Sequence, residues 1–96
     1  MRKQSPADWK KVERKLRILR DRTRDERPET IGRPLVETLR GGIKELRATD
    51  QIRILFAWIY ESRTILLLQA DRKKDGKVSE AAIVRAKENL DEWESR

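Results

Sequence analysis

Gln51-Ile52-Arg53-Ile54-Leu55-Phe56-Ala57-Trp58-Ile59-Tyr60 is the stretch on which the reading of this chain turns. Ile52, Ile54, Phe56, Trp58 and Tyr60 alternate with Arg53, Leu55, Ala57 and Ile59. A period of two is the mark of a β-strand. Both sets are largely apolar, so the strand is expected in the middle of a sheet, covered on both faces. One cation interrupts it. Burying an unpaired charge is costly, so the guanidinium of Arg53 needs a partner. Glu45 is one candidate; a phosphate on an open, concave sheet face is the other.

Working outward, Glu61-Ser62 reads as a tight turn into a further strand over Arg63–Gln69, with Ile65–Leu68 its apolar run. Upstream, Ile43–Ala48 has strand character and Ala48-Thr49-Asp50 reads as a turn. Residues 27–42 are punctuated by Pro28, Gly32, Pro34, Gly41 and Gly42, so they read as a connector with a short turn or strand around Leu35–Leu39. Helices flank this strand region. Ser5-Pro6-Ala7-Asp8 is a helix start, with Ser5 to cap it, proline at the first helical position and an acid where a capping box wants one. Trp9, Val12, Leu16, Leu19 and Thr23 then follow at helical spacing, and the helix is expected to end before Pro28. Lys74-Asp75-Gly76-Lys77 is a turn, Ser79 a cap, and Ile83, Ala86, Leu90 and Trp93 one face of a last helix. The fold class is α+β: an antiparallel sheet of three to four strands packed by an N-terminal and a C-terminal helix.

The chain has 96 residues, which is one domain spanning 1–96. It is 36% hydrophobic and 43% charged. No apolar run approaches the roughly 18 residues of a membrane helix, and no apolar stretch follows Arg2 and Lys3 as a signal peptide requires. Cysteine is absent, which excludes a disulfide framework and fits a reducing, cytoplasmic setting. The net charge is +7, and excess positive charge favours an anionic partner. Residues 1–33 hold 12 basic and 6 acidic side chains, residues 34–70 hold 5 and 4, and residues 71–96 hold 7 of each.

Histidine is also absent, which removes the usual general base at neutral pH and the commonest metal ligand. Asp71, Asp75, Gly76, Val78 and Ser79 fall on positions of a calcium-binding EF-hand loop. That loop fails where coordination is strictest, because Ala82 stands where a bidentate glutamate belongs and Lys73 where an acid does. No metal and no cofactor is expected. The basic run Arg72-Lys73-Lys74-Asp75-Gly76-Lys77 lies between a strand and a helix, where cations and first-turn N–H groups can hold phosphate. A solvated turn explains the same residues equally well.

The ordered series Arg33-Pro34-Leu35-Val36-Glu37-Thr38-Leu39, Gly42-Ile43-Lys44-Glu45-Leu46-Arg47, Arg53-Ile54-Leu55-Phe56, Ile65–Leu68, Lys73-Lys74, Lys77, then Ile83, Ala86 and Lys87, resembles the RelE/ParE toxin superfamily. It is closest to the HigB and phage-derived toxin-like branch. The resemblance covers about residues 31–90. It implies a RelE-like antiparallel sheet and the toxin of a type II toxin–antitoxin system. Such a toxin is a ribosome-dependent, metal-independent mRNA endoribonuclease that inhibits growth and is silenced by a cognate antitoxin, here expected to be of the helix-turn-helix type. In that chemistry the ribose 2′-hydroxyl attacks the neighbouring phosphate, which needs cations around the developing charge and groups to move protons. By position, the resemblance assigns Arg53, Arg47 and Lys74 to catalysis and Arg72, Lys73 and Lys77 to RNA binding. Lys74, crowded by other cations, is a candidate base.

The departures from the pattern are as specific as the matches. Gln69 and Asp71 stand where many relatives carry a histidine and an aromatic, and Val78-Ser79 replaces a threonine-proline. Proton transfer therefore has no clear owner, with Glu45 and Tyr60 the candidates. The strand and short helix that usually precede the long helix are not in this sequence: a mis-assigned start, a truncated chain and a sheet one strand short are the readings open, and the last would leave an open sheet edge that a partner's strand could fill. Two other readings share the scaffold: a ParE-like toxin acting on a protein such as DNA gyrase, and a degenerate, inactive RNA-binding module.

Overall fold

The computed structural model describes residues 6–25, 31–32, 35–72 and 77–96. Its elements are α1 (Pro6–Asp25), β1 (Val36–Thr38), β2 (Lys44–Arg47), β3 (Ile52–Ile59), β4 (Thr64–Arg72) and α2 (Glu80–Glu94). The four strands form one antiparallel sheet in the order β1-β2-β3-β4. This is the α+β, RelE-like architecture expected. Ser5, Pro28 and residues 74–76 of the turn expected over Lys74–Lys77 lie outside the described residues.

β3 is interior and buried along nearly its whole length. Its two apolar sets feed two cores. Ile52, Ile54 and Phe56 join Leu46, Val36, Leu35, Ile31 and Ala48 beneath Val12 and Leu19 of α1. Leu55, Ala57 and Ile59 join Ile43 and Leu68 beneath Ala82, Ala86 and Leu90 of α2. Alternation on a pleated strand thus places one helix on each face.

One expectation left open is resolved and two are corrected. The turn or strand expected around Leu35–Leu39 is a strand, β1, so the sheet has the upper of the three to four strands expected. It is joined to β2 through Gly41 and Gly42, with φ of 66° and 83°, and Ile43 N–H donates to the Arg40 carbonyl at 3.1 Å. Two consecutive positive φ values close a tight hairpin whose twist matches the strands, and glycine adopts them without penalty. The last strand runs to Arg72, three residues beyond Gln69, through a bulge at Leu68. Leu66 and Leu68 face α2 and Leu67 faces the α1 side by ordinary alternation; the extra residue brings Gln69, opposite Leu55, to the α2 side as well, and Asn89 Nδ2 donates to the Leu68 carbonyl at 2.8 Å. Finally, Trp9 and Trp93 continue their helices' apolar spacing but are 54% and 39% exposed, since each lies at a helix end beyond the sheet's cover.

α2 begins as expected: Ser79 accepts from Ala82 N–H at 3.1 Å, the N-cap bond. Asp71 Oδ2 accepts from Ser79 N–H at 3.0 Å and fastens the cap to the end of β4.

Candidate nucleic-acid interface

The register sets one row of side chains across the sheet. Arg47 of β2, Arg53 of β3 and Asp71 of β4 are cross-strand partners on the α2 face. Two like charges directly opposed repel one another, so the Arg47–Arg53 pair needs compensation. It is supplied by Glu45, whose Oε2 lies 2.9 Å from Arg53 Nε. Arg53 also donates through Nη1 to the carbonyls of Thr49 and Ile52, the latter at 3.3 Å. The guanidinium is 1% exposed, and its charge is met within the fold. Of the two partners the sequence allowed, the carboxylate occupies the position.

Arg53 therefore ties β2, β3 and their connecting turn together. Thr49 Oγ1 accepts from Gln51 N–H at 3.1 Å and Ile52 N–H at 2.9 Å, which sets the turn whose carbonyl Arg53 holds. Arg47, at the end of the row, is exposed to solvent. Its neighbourhood holds a residue the sequence reading passed over: Glu37 of β1 is the cross-strand partner of Glu45. Two carboxylates thus face each other on the strand pair that ends in the exposed Arg47. The signal was available, since Glu37 and Glu45 each lie four residues from Gly41.

Around the same end of the sheet, Arg72 closes β4 and donates to Gln51 Oε1 at 3.0 Å. Arg72, Lys11 of α1 and the Thr49–Ile52 turn line a polar recess of about 200 Å³. Lys11 is the second residue sequence reading did not single out, because its approach to Arg72 depends on how α1 crosses the sheet. Lys77 is exposed just before α2. Lys73 and Lys74 lie outside the described residues. Arg47 and Arg72 thus lie at the same end of the sheet on opposite faces, Arg47 with Arg53 on the α2 face and Arg72 opposite Ile52 on the α1 face. Tyr60 is not brought there. It sits exposed at the other end of β3, edge-on to Trp58 with ring centroids 6.5 Å apart. Seven strand residues separate it from Arg53, about 23 Å.

The arrangement can bind phosphate through exposed cations and offers carboxylates near one of them. Among the described residues no group of three or more acidic side chains is placed to hold a metal ion, and Asp71 is engaged as the support of the α2 cap. Among them, too, no helix is long and apolar enough to cross a membrane.

No curated protein and no solved structure matches the chain. One family profile does, described as Phage derived protein Gp49-like (DUF891), and it spans residues 6–91, from the first turn of α1 almost to the end of α2. Two helices enclosing a four-stranded antiparallel sheet, together with that match over most of its length, identify this chain as a member of the phage-derived Gp49-like family.

Proposed function

We propose that this protein is the toxin of a type II toxin–antitoxin pair. It acts as a ribosome-dependent, metal-independent endoribonuclease on mRNA in the cytoplasm and is held inactive by a cognate helix-turn-helix antitoxin. The observation that carries the reading is the exposure of Arg47 and Arg72 at the same end of the sheet, one on each face, with Lys77 exposed just before α2. Membership of the phage-derived family supports the toxin-like assignment.

In this reading Arg47 faces the scissile phosphate and offsets the charge that develops when the 2′-hydroxyl attacks. Arg72 and Lys77, with Lys73 and Lys74 between them in sequence, hold the flanking backbone. Glu45 is the proton-transfer candidate nearest the arginines. Arg53 contributes by holding Glu45 and the Thr49 turn in place, a positioning role rather than direct contact with phosphate.

The test is expression of Arg47→Ala and Arg72→Ala beside the unaltered chain. Both side chains are exposed, so the fold should survive. The unaltered chain should arrest growth with mRNA cleaved, and each variant should relieve arrest. Each should also bind a short single-stranded RNA more weakly, with a shallower salt dependence by about one counterion. Arrest with intact mRNA would point instead to a protein target of the ParE kind. Absence of arrest, with salt-sensitive RNA binding retained, would make the chain a binding module without catalysis.

A further inference from the structure

The turn between β2 and β3 lies at the surface yet is pinned from several directions. Arg53 Nη1 donates to the Thr49 carbonyl from the α2 side. Thr49 Oγ1 accepts from the N–H groups of Gln51 and Ile52, and the Ile52 carbonyl accepts from Ala48 and Thr49 N–H at 3.1 Å each. Acids and hydroxyls are common in turns because they bond the backbone a residue or two further on. Thr49 fills that role here. Asp50 is left over: among the described residues its carboxylate accepts no hydrogen bond and forms no ion pair.

Asp50 shares a recess of about 200 Å³ with two cations, Lys11 of α1 and Arg72 of β4. Gln51 Oε1 accepts from Arg72 Nη1 at 3.0 Å, which orients the guanidinium and leaves its other N–H groups for a ligand. Among the described residues neither cation is in an ion pair, with Asp50 or with any other carboxylate. Opposite charges that line one small recess without pairing suit a ligand that carries an anion and a hydrogen-bond donor side by side. A ribonucleotide unit carries both, in its phosphodiester and its ribose 2′-hydroxyl.

We infer that this recess holds one ribonucleotide of the bound strand, its phosphodiester on Lys11 and Arg72 and its 2′-hydroxyl donating to Asp50. The inference rests on the RNA reading of this end of the sheet and adds the group that tells RNA from DNA. An ionised carboxylate only accepts hydrogen bonds. It rewards a 2′-hydroxyl, whereas a deoxyribose offers it nothing and its charge then merely opposes the phosphate. Charge also selects the form of phosphate. Two cations and one carboxylate leave one net positive charge, the match for a singly charged phosphodiester rather than for a free phosphate dianion. Arg72 stands two strand spacings from Arg47, about 10 Å, and on the other face of the sheet, so this nucleotide is not the one at Arg47. Asp50 is thus a specificity-determining residue that takes no part in bond cleavage.

The experiment uses the full chain and three fluorescent single strands of one length, oligouridylate and its 2′-deoxy and 2′-O-methyl counterparts, followed by anisotropy. The unaltered chain should bind the ribose form several-fold more tightly than either analogue. Asp50→Ala should bring the three affinities together, and Asp50→Asn, which keeps an acceptor, should retain part of the preference. Lys11→Met should weaken all three and flatten their salt dependence by about one counterion. Arg47→Ala should weaken all three and leave the preference intact. Lys11 and Asp50 are exposed, and matched thermal melts establish that the variants remain folded. A preference that survives undiminished in Asp50→Ala, or full affinity in Lys11→Met, overturns the inference. So does saturation of the Asp50 amide shift by inorganic phosphate at a lower concentration than by oligouridylate, for then the recess serves free phosphate. A chain that binds none of the three strands overturns the RNA reading and this inference with it, whereas binding without a ribose preference overturns this inference alone.

Discussion

The two faces of the sheet are built from the same strands and finished differently. On one, α2 runs over β4 and β3 and seals Leu55, Ala57, Ile59 and Leu68 beneath Ala82, Ala86 and Leu90. Among the described residues the only buried charge under that face is Arg53, which pairs with Glu45 and donates to two backbone carbonyls. On the other, α1 covers the β2 side and stops short of β4, so apolar side chains remain in solvent beside arginines. The lesson is that burial follows which strands a helix reaches, not how apolar each strand is. Ile65–Leu68 is an unbroken aliphatic run, yet only Leu68 is buried.

The largest effect should come from the closed face. Removing one partner of a buried ion pair leaves the other charge uncompensated, so Glu45→Ala or Arg53→Ala should each cost about 3–5 kcal/mol in urea unfolding. Replacing both at once, as Glu45→Leu with Arg53→Met, should restore much of that stability, because apolar side chains of similar volume often substitute for a buried pair. If the double variant were no more stable than the singles, Arg53 would matter through its bonds to the Thr49 turn rather than through its charge. The same experiment guards the functional reading: growth arrest lost in Arg53→Ala reports on folding unless the variant is shown to fold.

A direct comparison of the faces is available in one residue type. Leu55 is fully buried and Leu67 is 52% exposed. Leu55→Ala should cost about 2–5 kcal/mol and Leu67→Ala under about 0.5 kcal/mol in the isolated protein. A Leu67→Ala penalty near that of Leu55→Ala would mean that the open face is covered in solution. A smaller effect concerns how α2 is seated. Ser79→Ala removes the cap bond to Ala82 and should destabilise by about 0.5–2 kcal/mol, with early amide exchange in the first turn of α2.

Much of this was legible in the sequence for identifiable reasons. β3 declared itself through strict alternation on two apolar faces, and Ser79 through its place before a helical stripe. The β1–β2 hairpin was harder to see. Gly41-Gly42 is a hairpin signal, but β1 is three residues long, too short for periodicity to register beside prolines and glycines that suggest a connector. The bulge at Leu68 was invisible, since Ile65–Leu68 reads as a uniform apolar run and only pairing fixes which side chain turns away. Arg53 was correctly marked as needing a partner, and Glu45 was named as one. Choosing between that carboxylate and a phosphate required the register that aligns Glu45 with Leu55, two pairs from Arg53 and on the same face. Tyr60 looked close to Arg53 in sequence, but an extended strand carries its ends far apart. Lys11 and Glu37 join the site through α1 packing and β1 pairing, neither of which a linear reading supplies.

The smallest expected effect tests how far closure by α2 extends. Arg40, in the β1–β2 hairpin, donates through both terminal nitrogens to the Glu80 carboxylate in the first turn of α2, one of these bonds at 3.2 Å. The hydrogen bond from Arg40 holds the Glu80 carboxyl below its ordinary pKa, and the same pairing raises that of Arg40. A carboxyl whose pKa is depressed by folding stabilises the native state above its unfolded pKa, about 4.3, and loses that contribution as pH falls through the folded value. The melting temperature of Glu80→Gln should therefore sit slightly below that of the unaltered chain at pH 7 and converge with it under strong acid. Both side chains are solvent-exposed, so added salt should shrink the difference as well. Glutamate at a helix start also interacts with the helix dipole, so Arg40→Ala and the double variant are needed to isolate the pair. A coupling that vanishes at low pH and high salt would tie the hairpin to α2 electrostatically. A pH-independent difference would instead assign the effect to packing around Gly41, where Lys87 Cδ approaches to 3.4 Å of the position a side chain would take.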